Sequence, residues 1–131
     1  MAEALIQHRI IKENPLAYST RLERRDLADV DLVIIHCTEL PDLTMARTFG
    51  ERIHHHGSAT GNSGHFYIDR DGAIHSWVPV SRVAHHTRGF NERSVGIELV
   101  NRGRWPNWFD TRSQQMTEPY PEEQIESLNH L

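Results

Sequence analysis

Residues 31–38 read DLVIIHCT. Leu32, Val33, Ile34 and Ile35 run together without polar alternation, and three of the four are β-branched. A short apolar run of this kind predicts a strand buried on both faces, as in parallel or mixed sheets. His36 sits at the carboxyl end of that strand, which is where open α/β sheets take their ligands. A second run, residues 94–100 (SVGIELV), predicts another strand. The fold class expected from these runs and the segments around them is α/β, a central mixed β-sheet flanked by helices in a single domain.

Working outward, residues 40–57 predict a helix that begins near Met45, with Asp42 or Thr44 as its cap and Gly57 just past its end. Met45, Phe49 and Ile53 fall at i, i+4 and i+8 and make one apolar stripe. His54, His55 and His56 are then placed in the last turn. Consecutive helical residues point in different directions, so the three cannot chelate one ion and are expected to lie on the surface. Residues 58–63 (SATGNS) read as a loop. Residues 64–69 (GHFYID) and 73–79 (AIHSWVP) read as strands around Arg70-Asp71-Gly72, since Asp-Gly between two strand-like runs is a strong hairpin signal. Residues 81–93 are polar and carry the adjacent pair His85 and His86.

At the two ends the signals are weaker. Residues 1–30 read as an irregular N-terminal arm, because Pro15 and the charged run 21–26 disfavour a packed helix, and residues 31–131 read as the domain. Residues 101–120 are loop-like and aromatic. Pro121 opens a helix, with Glu122 and Glu123 in its first turn and an apolar stripe of Ile125, Leu128 and Leu131. That helix begins with good signals and stops in mid-pattern at Leu131, so the expectation is that the C-terminal part of the fold is missing.

Composition narrows the function. The chain has 131 residues, one cysteine and a formal charge of −4. Cys37 cannot form an intramolecular disulfide, and the size is that of one domain with its own core. No basic field points to nucleic acid. No apolar run approaches the ~18 residues of a membrane span. Residues 1–25 show no apolar core of the signal-peptide type, which leads to the expectation of a cytoplasmic chain; a periplasmic or a phage-encoded chain also fits. Ten histidines is a high count, and histidine is both the commonest metal ligand and a common proton carrier.

Two residues stand out as candidates for chemistry. His36 closes a strand. Glu98 lies inside the apolar run Val95-Gly96-Ile97-Glu98-Leu99-Val100, and a carboxylate there is costly to bury unless it is paired, metal-linked or catalytic. Alternation puts Glu98 opposite Ile97 and Leu99, beside Val100 and Gly96, the latter expected to leave open space. A glutamate beside a metal-bound water is what a hydrolase needs as a general base.

Four segments taken in order resemble the type-2 N-acetylmuramoyl-L-alanine amidases, which share their fold with peptidoglycan recognition proteins. They are residues 33–38 (VIIHCT), residues 63–68 (SGHFYI) followed by Asp71-Gly72, residues 84–91 (AHHTRGFN) and residues 94–101 (SVGIELVN). The resemblance covers residues 31–102 well and 117–131 loosely. It implies hydrolysis of the amide between the lactyl group of N-acetylmuramic acid and the first L-alanine of the stem peptide, in peptidoglycan or muropeptides. It implies that His36 is the first zinc ligand and that Glu98 is the catalytic glutamate of the bacterial amidase branch. It places His86 on the substrate groove and His65 near the site, and Asn91 and Trp105 complete the expected substrate contacts.

The departure from that pattern is at the metal. The family's second and third zinc ligands, a histidine and then an aspartate or cysteine, follow the helix that opens near Pro121, and none is present in these 131 residues. Three protein ligands and a water make a catalytic zinc site. The expectation is therefore that Zn2+ is bound weakly or not at all and that amidase activity is small or absent. On the substrate side, Trp77, Trp105, Trp108, Phe109 and Tyr120 are candidates to stack on sugar or peptide. Arg88, Arg102 and Arg104 are candidates to meet peptide carboxylates. A peptidoglycan- or muropeptide-binding module without catalysis is the alternative reading, and Glu98 speaks against it. A histidine-rich metal-storage or scaffold protein would want ligands clustered at i, i+4, which the chain lacks.

Overall fold

A computed structural model describes residues 10–103, 109–113 and 118–131. Five strands form one mixed sheet: β1 (Ile11–Glu13), β2 (Leu32–Cys37), β3 (Phe66–Ile68), β4 (Ile74–Ser76) and β5 (Ser94–Leu99), in the order β1-β4-β3-β5-β2. β2 and β3 both run parallel to β5, β3 and β4 are antiparallel, and β1 runs parallel to β4. The helices α1 (Leu43–Glu51) and α2 (Glu122–His130) complete the α/β architecture expected. No helix among the described residues is long and apolar enough to cross a membrane.

The β3–β4 hairpin follows from Asp71-Gly72. Gly72 has φ +86°, its N–H donates to the Asp69 carbonyl, and the Asp71 side chain accepts from the Ala73 N–H. A Cβ on Gly72 would lie 2.8 Å from the Glu123 carbonyl oxygen, so α2 also packs against this turn. Two side chains tie α2 to the sheet: Gln124 Nε2 donates to the Ile68 and Val100 carbonyls, and Ser127 Oγ donates to the Gly72 carbonyl.

Two cores lie on opposite faces of the sheet. Ile68, Ile74, Ile97 and Leu99 face α2, with Val95, Tyr120 and Leu128 against them. Leu16, Tyr18, Leu22, Ala46, Tyr67, Trp77, Val78 and Ala84 form the other, on the α1 side. Each fully buried aliphatic side chain stabilises the fold by about 1.5–3 kcal/mol relative to exposure.

Four local readings change. β2 is an edge strand, so its apolar run is not buried on both faces: Val33 and Ile35 are 58% and 53% exposed. The stretch expected to be an irregular arm supplies strand β1 and the buried residues Leu16, Tyr18 and Leu22. α1 begins as expected, with Asp42 Oδ1 accepting from the Met45 N–H at 2.8 Å, but it stops at Glu51. The backbone of His54 and His55 bonds Thr60 instead, and a Cβ on Gly61 would lie 2.0 Å from the Arg52 carbonyl oxygen. The chain doubles back there, so the three histidines lie beyond the helix, not in its last turn. The stripe Met45, Phe49, Ile53 is partly exposed. Ala46 and Gly50 face the core instead, small enough for close approach, and the Gly50 carbonyl accepts from the buried Tyr18 hydroxyl.

Candidate active site

The parallel register fixes the centre of the site. His36 pairs with Glu98 across β2 and β5, and Tyr67 pairs with Glu98 across β3 and β5. Residues side by side in register share a face. The row His36, Glu98, Tyr67 therefore lies on the α1 side, near the carboxyl ends of three parallel strands.

Glu98 borders a cavity of about 360 Å³ whose lining includes Glu39, Leu40, Phe49, Asn62 and Tyr67. Its Oε2 is sealed from solvent and has no hydrogen-bond partner among the described residues. Burial, with a smaller push from Glu39, raises its pKa from the ordinary 4.5 to about 7. An unbonded carboxyl oxygen in a cleft, poised near neutrality, has the proton affinity of a general base. The room beside it comes from Gly64, where a Cβ would lie 3.0 Å from Glu98 Cγ. Gly96 does something else than expected: the His86 ring lies against it, 2.7 Å from where its Cβ would be.

His86 is thereby held over β5. Its Nδ1 lies 3.0 Å from His36 Nε2, and Thr87 Oγ1 lies 3.1 Å from both atoms. Its other nitrogen is 3.1 Å from the buried Ser94 hydroxyl. Asn91 sets this loop, because its Oδ1 accepts from the backbone N–H groups of His86 and Thr87 at 2.9 and 2.7 Å. Burial and the neighbouring imidazole of His36 pull the His86 pKa down to about 3. Burial also lowers that of His36. Both rings are neutral at pH 7, as ligand or acceptor nitrogens must be.

His65 has no face left for a substrate. It is 0% exposed. The Gly96 N–H donates to its Nδ1, so the proton is on Nε2, which donates to the Arg82 carbonyl. Burial holds its pKa down at about 4. The expected substrate contact is thus replaced by a structural one: His65 joins β5 to the loop before Val83. The Arg25 guanidinium, 3.2 Å away, is not a partner of that protonated nitrogen. It donates instead to the carbonyls of Val80, Asn91, Glu92 and Ser94, which ties the loops of the site together. Trp105 lies outside the described residues.

The structure therefore brings His36, Glu98, His86 and Asn91 to one end of the sheet and sets His65 behind them. The sequence reading assigned no role to Thr87, Arg25, Ser94 or Tyr67. Thr87 was visible only as part of the AHHTRGFN segment, and Arg25 only as one member of a charged run.

Residues 26–131 match the family model described as N-acetylmuramoyl-L-alanine amidase. The chain belongs to this amidase family. Among solved structures it is similar to the endolysin N-acetylmuramoyl-L-alanine amidase LysCS from Clostridium intestinale, at 25% identity and a TM-score of 0.60, over 93% of this chain and 70% of that one. It shares its fold with wild-type Drosophila PGRP-LB, at 20% identity and a TM-score of 0.66, over 92% and 69% of the two chains. It also shares its fold with AmpD, at 21% identity and a TM-score of 0.60, over 93% and 72%. No curated protein sequence matches it significantly.

Amidases of this family are generally zinc-dependent. A catalytic zinc takes three protein ligands and keeps one position open. Among the described residues no group of three or more His, Cys, Asp or Glu side chains converges. His36 and His86 offer two nitrogens, one ligand short. The described residues do not make a complete zinc centre by themselves.

Proposed function

We propose that this chain carries the substrate cleft and general base of an amidase. The bond hydrolysed is the amide between N-acetylmuramic acid and L-alanine in peptidoglycan or muropeptides. The observation that carries the reading is Glu98: a carboxyl with one sealed, unbonded oxygen, raised to about 7, in a cleft beside His36. In its ionised form Glu98 takes a proton from the attacking water. In its protonated form it gives that proton to the leaving amine, which prevents the tetrahedral adduct from collapsing back. Positioned proton transfer of this kind contributes about 10²–10⁴-fold. His36 is assigned as one metal-ligating nitrogen, with His86, Thr87 and Asn91 holding the wall against which it rests.

Among the described residues no third ligand converges with His36 and His86, and this sets the expected level of activity. Titration of these 131 residues with zinc should give an affinity weaker than about 1 μM, and submicromolar binding would contradict the assignment of His36 as a partial site. In zinc-supplemented buffer, muropeptide cleavage should be slow, and Glu98→Ala should reduce what remains at least about 100-fold. Turnover unchanged by that substitution sinks the role given to Glu98.

The incomplete ligand set also favours a second reading, a peptidoglycan- or muropeptide-binding module. Saturable muropeptide binding with no cleavage at any zinc concentration would select it.

A further inference from the structure

The cavity of about 360 Å³ at Glu98 is lined by a second acidic side chain, that of Glu39. Resting on the amidase reading, we propose that Glu39 is a specificity-determining residue: its carboxylate excludes substrates in which the alanine released from the scissile amide carries a free α-carboxylate. The class accepted is an N-acetylmuramoyl-L-alanine whose own carboxyl is blocked, by a peptide bond or an amide.

The backbone holds Glu39 in place. It lies two residues past β2 and has φ +55°, a left-handed conformation uncommon outside glycine. Gly103, itself at φ +86°, receives it: a Cβ there would lie 2.6 Å from Glu39 Cγ and 3.3 Å from Glu39 Cα. Two positive-φ residues thus meet to seat one acidic side chain at the cavity wall. Conformations of this kind concentrate at ligand-binding positions.

The charge of the wall has one sign. Among the described residues that line the cavity, Glu39 and Glu98 are acidic and none is Lys, Arg or His. The charge of Glu39 is felt at Glu98, whose proton it helps to hold. An anion brought to Glu98 meets the same field, which apolar walls such as Leu40 and Phe49 concentrate. A like charge set against the wrong ligand is a common means of specificity.

The direction in which the rest of the substrate runs does not matter. An α-carboxyl carbon is two bonds from the nitrogen of its own residue, so its oxygens lie within about 4 Å of the scissile nitrogen. With that nitrogen at Glu98, a free carboxylate enters the field of Glu39. A peptide carbonyl or a carboxamide at the same place carries no charge.

The test is an NMR titration of the 131-residue chain with N-acetylmuramoyl-L-alanine and with its α-carboxamide, which differ in this one group. At pH 8 and low ionic strength the carboxamide should bind about five- to tenfold more tightly, and the preference should shrink in ~0.5 M salt, since Glu39 is exposed. Glu39→Gln should tighten binding of the acid at least about threefold and leave the carboxamide within about twofold of its former affinity. Glu39→Asp, which keeps the charge and tolerates a left-handed backbone, should keep the preference. Equal affinities in the unsubstituted chain, an acid bound no better after Glu39→Gln, a preference untouched by salt, or no binding of either ligand at millimolar concentration overturns the role of Glu39. A preference that depends on Glu39 without any Glu98-dependent cleavage of the carboxamide keeps that role and removes the catalytic reading; Glu98-dependent cleavage of both ligands at equal rates does the reverse.

Discussion

At the scale of single residues, the site is built from glycines and hydrogen bonds that spare its chemical groups. Gly64 leaves room for Glu98, and Gly96 leaves room for the His86 ring. Gly96→Ala should therefore push His86 off the strand and cost about 1–3 kcal/mol, as overpacking does; urea denaturation measures it, and a change below ~0.5 kcal/mol would mean that the ring is free to move. Glu98 has a consequence for stability as well. Its folded pKa of about 7 lies above its ordinary 4.5, so the native chain holds a proton that the unfolded chain loses. Stability is then lost as pH rises from about 4.5 to 7 and stays lower above that. Glu98→Gln should raise the unfolding free energy at pH 8 by an amount on the order of 2–3 kcal/mol, and leave it little changed at pH 4. Equal effects at both pH values would contradict the burial of this carboxyl. His65 has the opposite sign: its pKa is held down at about 4, so it contributes stability above pH 6.5 that is lost as pH falls towards 4.

At the scale of elements, what could be read from sequence was whatever depends on neighbours along the chain. The Asp71-Gly72 hairpin, the Asp42 cap and the alternation that sets Glu98 opposite Ile97 and Leu99 are all local. Place in the sheet is not local. The run Leu32 to Ile35 has the composition of a doubly buried strand, yet β2 is an edge strand with Val33 and Ile35 exposed. Ile35→Thr should therefore cost less than ~1 kcal/mol, whereas Ile74→Ala, at a fully buried position, should cost about 2–5 kcal/mol. Chemical denaturation of the two variants separates the cases, and a large loss at Ile35 would show that this face is covered in solution. The early end of α1 was equally hidden, because it depends on Thr60 and Gly61 returning against Arg52, His54 and His55.

At the scale of the molecule, segment order carried the family and the sheet carried the site. Parallel register sets His36, Glu98 and Tyr67 in one row, although they lie far apart in sequence. The loop of residues 85–91 closes over that row through Asn91 and Arg25. The histidine content alone could not separate its roles: His36 and His86 meet at the site, His65 is a buried tie, and His55 and His85 wall a neighbouring cleft. Burial and partners decide among them, and these appear only once the chain is folded. The account as a whole rests on Glu98 being a sealed, uncommitted carboxyl poised near neutrality. Carbon-13 NMR of its side-chain carboxyl, followed from pH 3 to 9 in the metal-free chain, measures this directly. A midpoint near 7 is the result predicted; a midpoint near 4.5, as for a solvated glutamate, would contradict it.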